Sequence, residues 1–182
     1  MFTFDKSTTG LLIIDVQDKT FRAVERSVEI LHAIQLLIKG TQLLNIPIYV
    51  TEQYPNGLGH TVEGIRDLLT LETLIFSKRT FSCWKNQAFQ DMLIKSGLKQ
   101  WIIVGIESHV CVLQTAKDMK LNNFQIAVLN DAISSRSLFD FSTAIAEMKE
   151  DGIRISSVET VLFELFETSE AENFKALSEL LK

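Results

Sequence analysis

From end to end, short runs of β-forming apolar residues alternate with amphipathic stretches, and this alternation restricts the chain to an α/β architecture. LLIIDV at 11–16 is a continuous apolar run stopped by an aspartate, as in a strand buried on both faces. IPIYVT (46–51), ETLIFSK (72–78), WIIVGI (101–106) and QIAVLND (125–131) read as further strands, and a sixth is expected within 153–163. Helical spacing covers about 24–44, where Val28, Leu31, Ile34, Ile38 and Leu43 make the apolar stripe, then 86–96, 110–121, 139–151 and 171–181. Asn86 and Gly97 read as the start and stop signals of the second helix. Buried strands with helices between them imply a mainly parallel sheet covered on both faces and joined by right-handed crossovers. With 182 residues, no repeats and no linker-like tract, one domain over 1–182 is expected.

Composition removes several function classes. Hydrophobic residues make up 46% of the chain, enough for a core that needs neither metal nor disulfide. Lys and Arg number 18 against 23 Asp and Glu, and the basic residues form no patch, which argues against a nucleic-acid partner. No run approaches the ~20 apolar residues of a membrane span. The opening MFTFDKSTTG lacks the basic start and apolar stretch of a secretory signal, so a cytoplasmic protein with free thiols at Cys83 and Cys111 is expected.

Familiar motifs are largely missing. The first strand runs into DVQDKTF with no GxGxxG, and there is no P-loop and no CxxC. The three histidines, His32, His60 and His109, have no metal-ligand spacing, so neither metal nor cofactor is expected. IIDVQD invites comparison with haloacid-dehalogenase-type phosphotransferases, but two residues rather than one separate Asp15 from Asp18. On an extended segment they point to opposite faces. A Mg-dependent aspartyl phosphotransferase using Lys78 and Asp131 is therefore the lesser alternative.

Ligands of doubly wound sheets sit outside the carboxyl ends of the strands. Asp15, Glu52, Lys78, Cys111 and Asp131 all follow or close an apolar run. VGIESHVCV (104–112) is the most informative stretch: a strand ends, Glu107, Ser108 and His109 follow, and Cys111 falls in the first turn of a helix. There the macrodipole and unpaired N–H groups favour a thiolate and offer an oxyanion site. Asp15 supplies a carboxylate whose protonation burial can tune, and the Lys78 ammonium stabilises both anions if the three meet. The plain alternative makes Cys111 a packing residue. Cys83 lacks such a junction and reads as packing.

LLIIDVQ, KRTFS and GIESHVCV together resemble the isochorismatase-like cysteine hydrolases, in order and spacing over about residues 8–165. The resemblance implies a three-layer α/β/α fold with a doubly wound, Rossmann-like sheet of six parallel strands. It implies a catalytic set of Asp15, Lys78 and Cys111, a cis peptide between Ile106 and Glu107, and an oxyanion hole from the N–H groups of Glu107 and Cys111. It also implies a homo-oligomer. TEQYPNGLGHT (51–61) lacks the Asp and His metal site of nicotinamidases, and the retained Cys111 departs from isochorismatases that cleave a vinyl ether. The expected reaction is therefore cleavage of a C–N (amide) bond in a small molecule through a thioester. Gln17, Glu52, Tyr54, Phe81, Trp84 and His109 are the expected pocket wall. The competing class is a catalytically silent binding or scaffold oligomer on the same fold.

Overall fold

The computed structural model describes residues 2–182. Among them the chain runs β1 (Thr9–Ile14), α1 (Asp18–Phe21), α2 (Ser27–Leu43), β2 (Ile48–Gln53), α3 (Pro55–Leu58), α4 (Glu63–Arg66) and β3 (Leu74–Lys78). It continues through α5 (Gln87–Ser96), β4 (Gln100–Ile106), α6 (Leu113–Leu121), β5 (Gln125–Ser134), α7 (Leu138–Glu150), β6 (Arg154–Ser156), α8 (Val158–Phe166) and α9 (Phe174–Leu180). All six strands are parallel, in the order β3-β2-β1-β4-β5-β6.

The alternation of side chains along each strand divides the core into two layers. Leu11, Ile13, Val50 and Val104 face α2, α8 and α9, where Ile30, Ile34, Leu37, Val161 and Leu162 are buried. Leu12, Ile14, Trp101 and Ile103 point the other way, onto Phe89 and Leu93 of α5, Met119 of α6 and Met148 of α7. β1 and β4 are buried along their whole length, which explains their unbroken apolar runs.

Several boundaries differ from expectation. β3 is an edge strand whose Leu74 and Ile75 are exposed, because only β2 pairs with it. α2 begins at Ser27, and Val28 lies outside the stripe, which runs through Ile30, Ile34, Leu37 and Ile38. The sixth strand is only Arg154–Ser156, and the apolar residues after it form α8. Ser157 caps that helix by accepting from Thr160 N–H, and Val158, Val161, Leu162, Leu165 and Phe166 make its buried face. The expected caps of α5 are present: Asn86 accepts from Phe89 N–H, and Gly97 takes the left-handed conformation at the end.

Candidate active site

Strand order reverses between β1 and β4, so the connections leaving these neighbours diverge and open a crevice above their carboxyl ends. Gly105 permits the close approach there. It lies opposite Ile14 with φ +121°, and a Cβ at this position would stand 2.1 Å from the Ile14 carbonyl oxygen. The Ile106–Glu107 peptide bond that follows is cis. The chain then makes one π-helical turn, Ser108–Val112, before α6 begins. The Glu107 carbonyl accepts from Val110 N–H at 3.1 Å and Val112 N–H at 3.2 Å, and Cys111 is buried within the turn.

Asp15 is the first residue beyond β1. Its φ of 52° lies in the left-handed region, which aspartate tolerates better than most residues. Its N–H donates to the Thr51 carbonyl at 3.1 Å, and the Thr51 hydroxyl donates to Oδ1 at 2.8 Å. Oδ2 receives Lys78 Nζ at 2.6 Å, with the two side chains only 6% and 1% exposed. A buried ion pair recovers its desolvation cost only if the remaining donors are also met. Here Lys78 also reaches Gln53 Oε1 at 2.8 Å and the carbonyls of Phe81 (3.1 Å) and Thr80 (3.2 Å). Burial pulls the Lys78 ammonium toward the neutral form, but Asp15 and the nearby thiols hold its proton affinity above the ordinary lysine value. It stays charged.

Both thiols are governed by burial. Burial, followed by the negative charge of Asp15, pushes the Cys111 thiol well above the ordinary range, and Lys78 offsets only part of that. A helix terminus contributes about 0.3–2 kcal/mol to a neighbouring charge, which does not outweigh desolvation beside another anion. The Cys111 thiol therefore holds its proton more tightly than a free cysteine does. Cys83 is fully buried and pushed up by that burial to about 11. Its Sγ lies 3.7 Å from the Thr51 hydroxyl and its N–H donates to Thr115 Oγ1, so it packs behind the residue that holds Asp15.

Asp15 and Cys111 line the same small cleft, of about 140 Å³, together with Gln17 and Phe81 from the expected wall. Thr20, Gln53, Leu58, Ile106, Glu107 and Val110 complete it. The other expected wall residues are engaged elsewhere. Glu52 accepts from the N–H and hydroxyl of Thr61 and pairs with His60. Tyr54 lies under the Arg79 guanidinium at 3.8 Å, Trp84 packs edge-on against Phe124, and His109 bonds Ser135 through Nδ1. Thr51 and Gln53 were not anticipated. They stand two apart on β2, on the same side of the pleat, beside the strand that carries Asp15, and that spacing was readable. Asp18 begins α1 and gives its N–H to the His60 carbonyl; it is not part of the cleft lining. Among the described residues no three His, Cys, Asp or Glu side chains converge as a metal site requires, and no helix is long and apolar enough to cross a membrane.

Residues 9–160 match the isochorismatase domain. The chain belongs to the isochorismatase-domain family. Isochorismatase family protein 1A of Dictyostelium discoideum is 35% identical over 175 residues, covering 93% of this chain and 84% of the relative. Isochorismatase domain-containing protein 1 of Salmo salar is 33% identical over 176 residues; the match takes in 97% of this chain but only 62% of that relative's length. Among solved structures, the MAR1 ribonuclease of Caenorhabditis elegans superposes with a TM-score of 0.93 at 34% identity, covering 99% of this chain and 92% of that one. The YcaC gene product of Escherichia coli, described as an octameric hydrolase of unknown specificity, shares the fold at TM-score 0.93 and 21% identity, over 100% of this chain and 90% of that one. The six-stranded parallel sheet described above is the fold these neighbours share.

Proposed function

We propose that the protein is a cysteine hydrolase that cleaves the C–N bond of a small amide through a thioester on Cys111. The observation that carries the reading is the placement of Asp15, ion-paired to a buried Lys78, in the cleft that Cys111 also lines. As substrate enters, the Cys111 thiol gives its proton to Asp15 and Sγ attacks the carbonyl carbon, forming a C–S bond and an oxyanion. The N–H groups of Glu107 and Cys111 receive that oxyanion. Asp15 passes the proton to the nitrogen, the C–N bond breaks, and ammonia or an amine departs. Asp15 then takes a proton from water, the hydroxide adds to the thioester, the C–S bond breaks, and the thiol is restored. Lys78 remains an ammonium throughout and keeps the site near electrical neutrality as the proton moves.

A thiol whose proton affinity is raised by burial fits this scheme, because the nucleophile is generated only when Asp15 accepts its proton. A homo-oligomer of soluble chains acting on a small molecule completes the proposal; the octameric YcaC product lends the assembly its support. A ribonuclease reading, prompted by the Caenorhabditis elegans neighbour, fits less well, because the cleft lining carries two carboxylates and the chain is net acidic. The test is a screen of small amides and carbamoyl compounds for ammonia release, with Cys111→Ala as the blank. Turnover that is equal in the blank would remove Cys111 from the mechanism.

A further inference from the structure

The cleft around Cys111 is polar in composition but not in what it offers a ligand. Gln17 spends both amide N–H groups on the carbonyls of Gln53 (3.0 Å) and Gly59 (2.6 Å), and its oxygen accepts Gln53 N–H at 2.7 Å. The Gln53 side chain is held between Lys78 and the Arg79 carbonyl. All three Lys78 protons are engaged within the protein. The Glu107 carboxylate accepts from both the backbone N–H and Nε of Arg136, and so is itself paired. The Thr20 hydroxyl donates to the Gln17 carbonyl at 3.3 Å, so what remains turned to a ligand is an apolar wall of Leu58, Phe81, Ile106 and Val110 beside Asp15 and Cys111.

From this arrangement we infer that the cleft selects an uncharged substrate whose acyl group is apolar and no larger than about one six-membered ring. The inference rests on the amide-hydrolase reading and narrows its substrate class. The size follows from the volume: about 140 Å³ is close to the roughly 150 Å³ cavity that holds one benzene molecule in an apolar protein interior. The charge selectivity follows from the pairing. A carboxylate on the acyl group would give up its water inside a cleft whose lining has two carboxylates and no basic side chain, so its desolvation has no compensation. A cationic acyl group would lose its hydration against the four apolar side chains, while both lining carboxylates already have partners.

Two arms test this on the intact wild-type protein. In the first, ammonia release is compared for butyramide, benzamide, succinamic acid and 4-aminobutyramide. The neutral amides are expected to exceed either charged amide in kcat/KM by at least about a hundredfold. The second arm needs no turnover: iodoacetamide and iodoacetate are compared as alkylators of Cys111, followed by peptide mass spectrometry and run until a urea-unfolded control is fully modified. The folded protein should prefer the neutral reagent at least about tenfold more strongly than the unfolded control does. Equal preference, or a Cys111 inert to both reagents, overturns the inference. If the alkylation preference holds but no amide is hydrolysed, the cleft selects as inferred and the amidase reading fails. If amides are hydrolysed and succinamic acid is as good as butyramide, the amidase reading stands and the inference falls.

Discussion

Removing the Lys78 ammonium should unfold the protein far more readily than its single charge suggests. In Lys78→Met the aliphatic stem is replaced, but Asp15 is left as a 6%-exposed carboxylate supported by the Thr51 hydroxyl, the Cys111 thiol and solvent at the cleft, with no cation. The carbonyls of Thr80 and Phe81 and the Gln53 amide oxygen lose the same donor. Breaking a buried ion pair from one side costs about 3–5 kcal/mol. For a domain of this size each kcal/mol moves Tm by about 2–4 °C, so a fall of roughly 6–20 °C is expected. Adding Asp15→Asn removes the orphaned charge, keeps an acceptor for Thr51, and suits the left-handed backbone at position 15. The double variant should therefore recover part of the loss, by about 1–2 kcal/mol, although both variants are expected to be inactive. Calorimetry at pH 7 measures both. A Lys78→Met protein melting within about 2 °C of wild type, or a double variant no more stable than Lys78→Met, would refute a dry, mutually dependent pair.

Three further outcomes follow from the same geometry. Both thiols bind their protons more tightly in the folded chain than in the unfolded one, where they ionise near 9.0; stability is then fully present below that pH and declines above it, by up to about 1.4 kcal/mol per pH unit for each thiol. Urea midpoints measured from pH 8 to 11 should fall, and should fall less steeply in Cys83→Ala; an unchanged slope would contradict the burial of Cys83. Gly105→Ala forces a Cβ against the Ile14 carbonyl at a left-handed backbone position and should yield no folded protein, as read by circular dichroism and soluble expression. Thr51→Val removes a hydrogen bond to a charged acceptor, worth about 1.5–3 kcal/mol. Its kcat/KM at pH 7 should fall at least about tenfold, and Thr51→Ser should restore most of that activity; a Val variant as active as wild type would dissociate the hydroxyl from the function of Asp15.

The strands were legible because burial on both faces leaves an unbroken apolar run, as in LLII and WIIV. The two sheet edges were harder to read. At β3 exposed Leu74 and Ile75 imitate a buried strand, and at β6 three residues are too few to announce themselves. α8 was hidden in the same apolar segment, although Ser157 and the 158, 161, 162, 165 spacing signal a capped helix. At the site, strand ends identified Asp15, Lys78 and Cys111 as candidates. Thr51, which holds Asp15, and Gln53, which holds Lys78, have the readable spacing of one strand face, but their place beside Asp15 is set by sheet order. Glu52, Tyr54, Trp84 and His109 have the right chemistry for a pocket, but their side chains are taken up by Thr61, Arg79, Phe124 and Ser135. A helix terminus beside Cys111 is visible in the sequence, whereas burial of the thiol beside a carboxylate is visible only in the fold.

The decisive step is the bond between Cys111 and the acyl group. It is tested most directly by acid-quenching the enzyme within the first turnovers of a hydrolysed amide and weighing the peptide that carries residue 111. This peptide is expected to gain the mass of the acyl group, the adduct to decay with the rate of product formation, and Asp15→Asn never to accumulate it. An enzyme that releases ammonia steadily with residue 111 unmodified, and goes on doing so as Cys111→Ala, would contradict it.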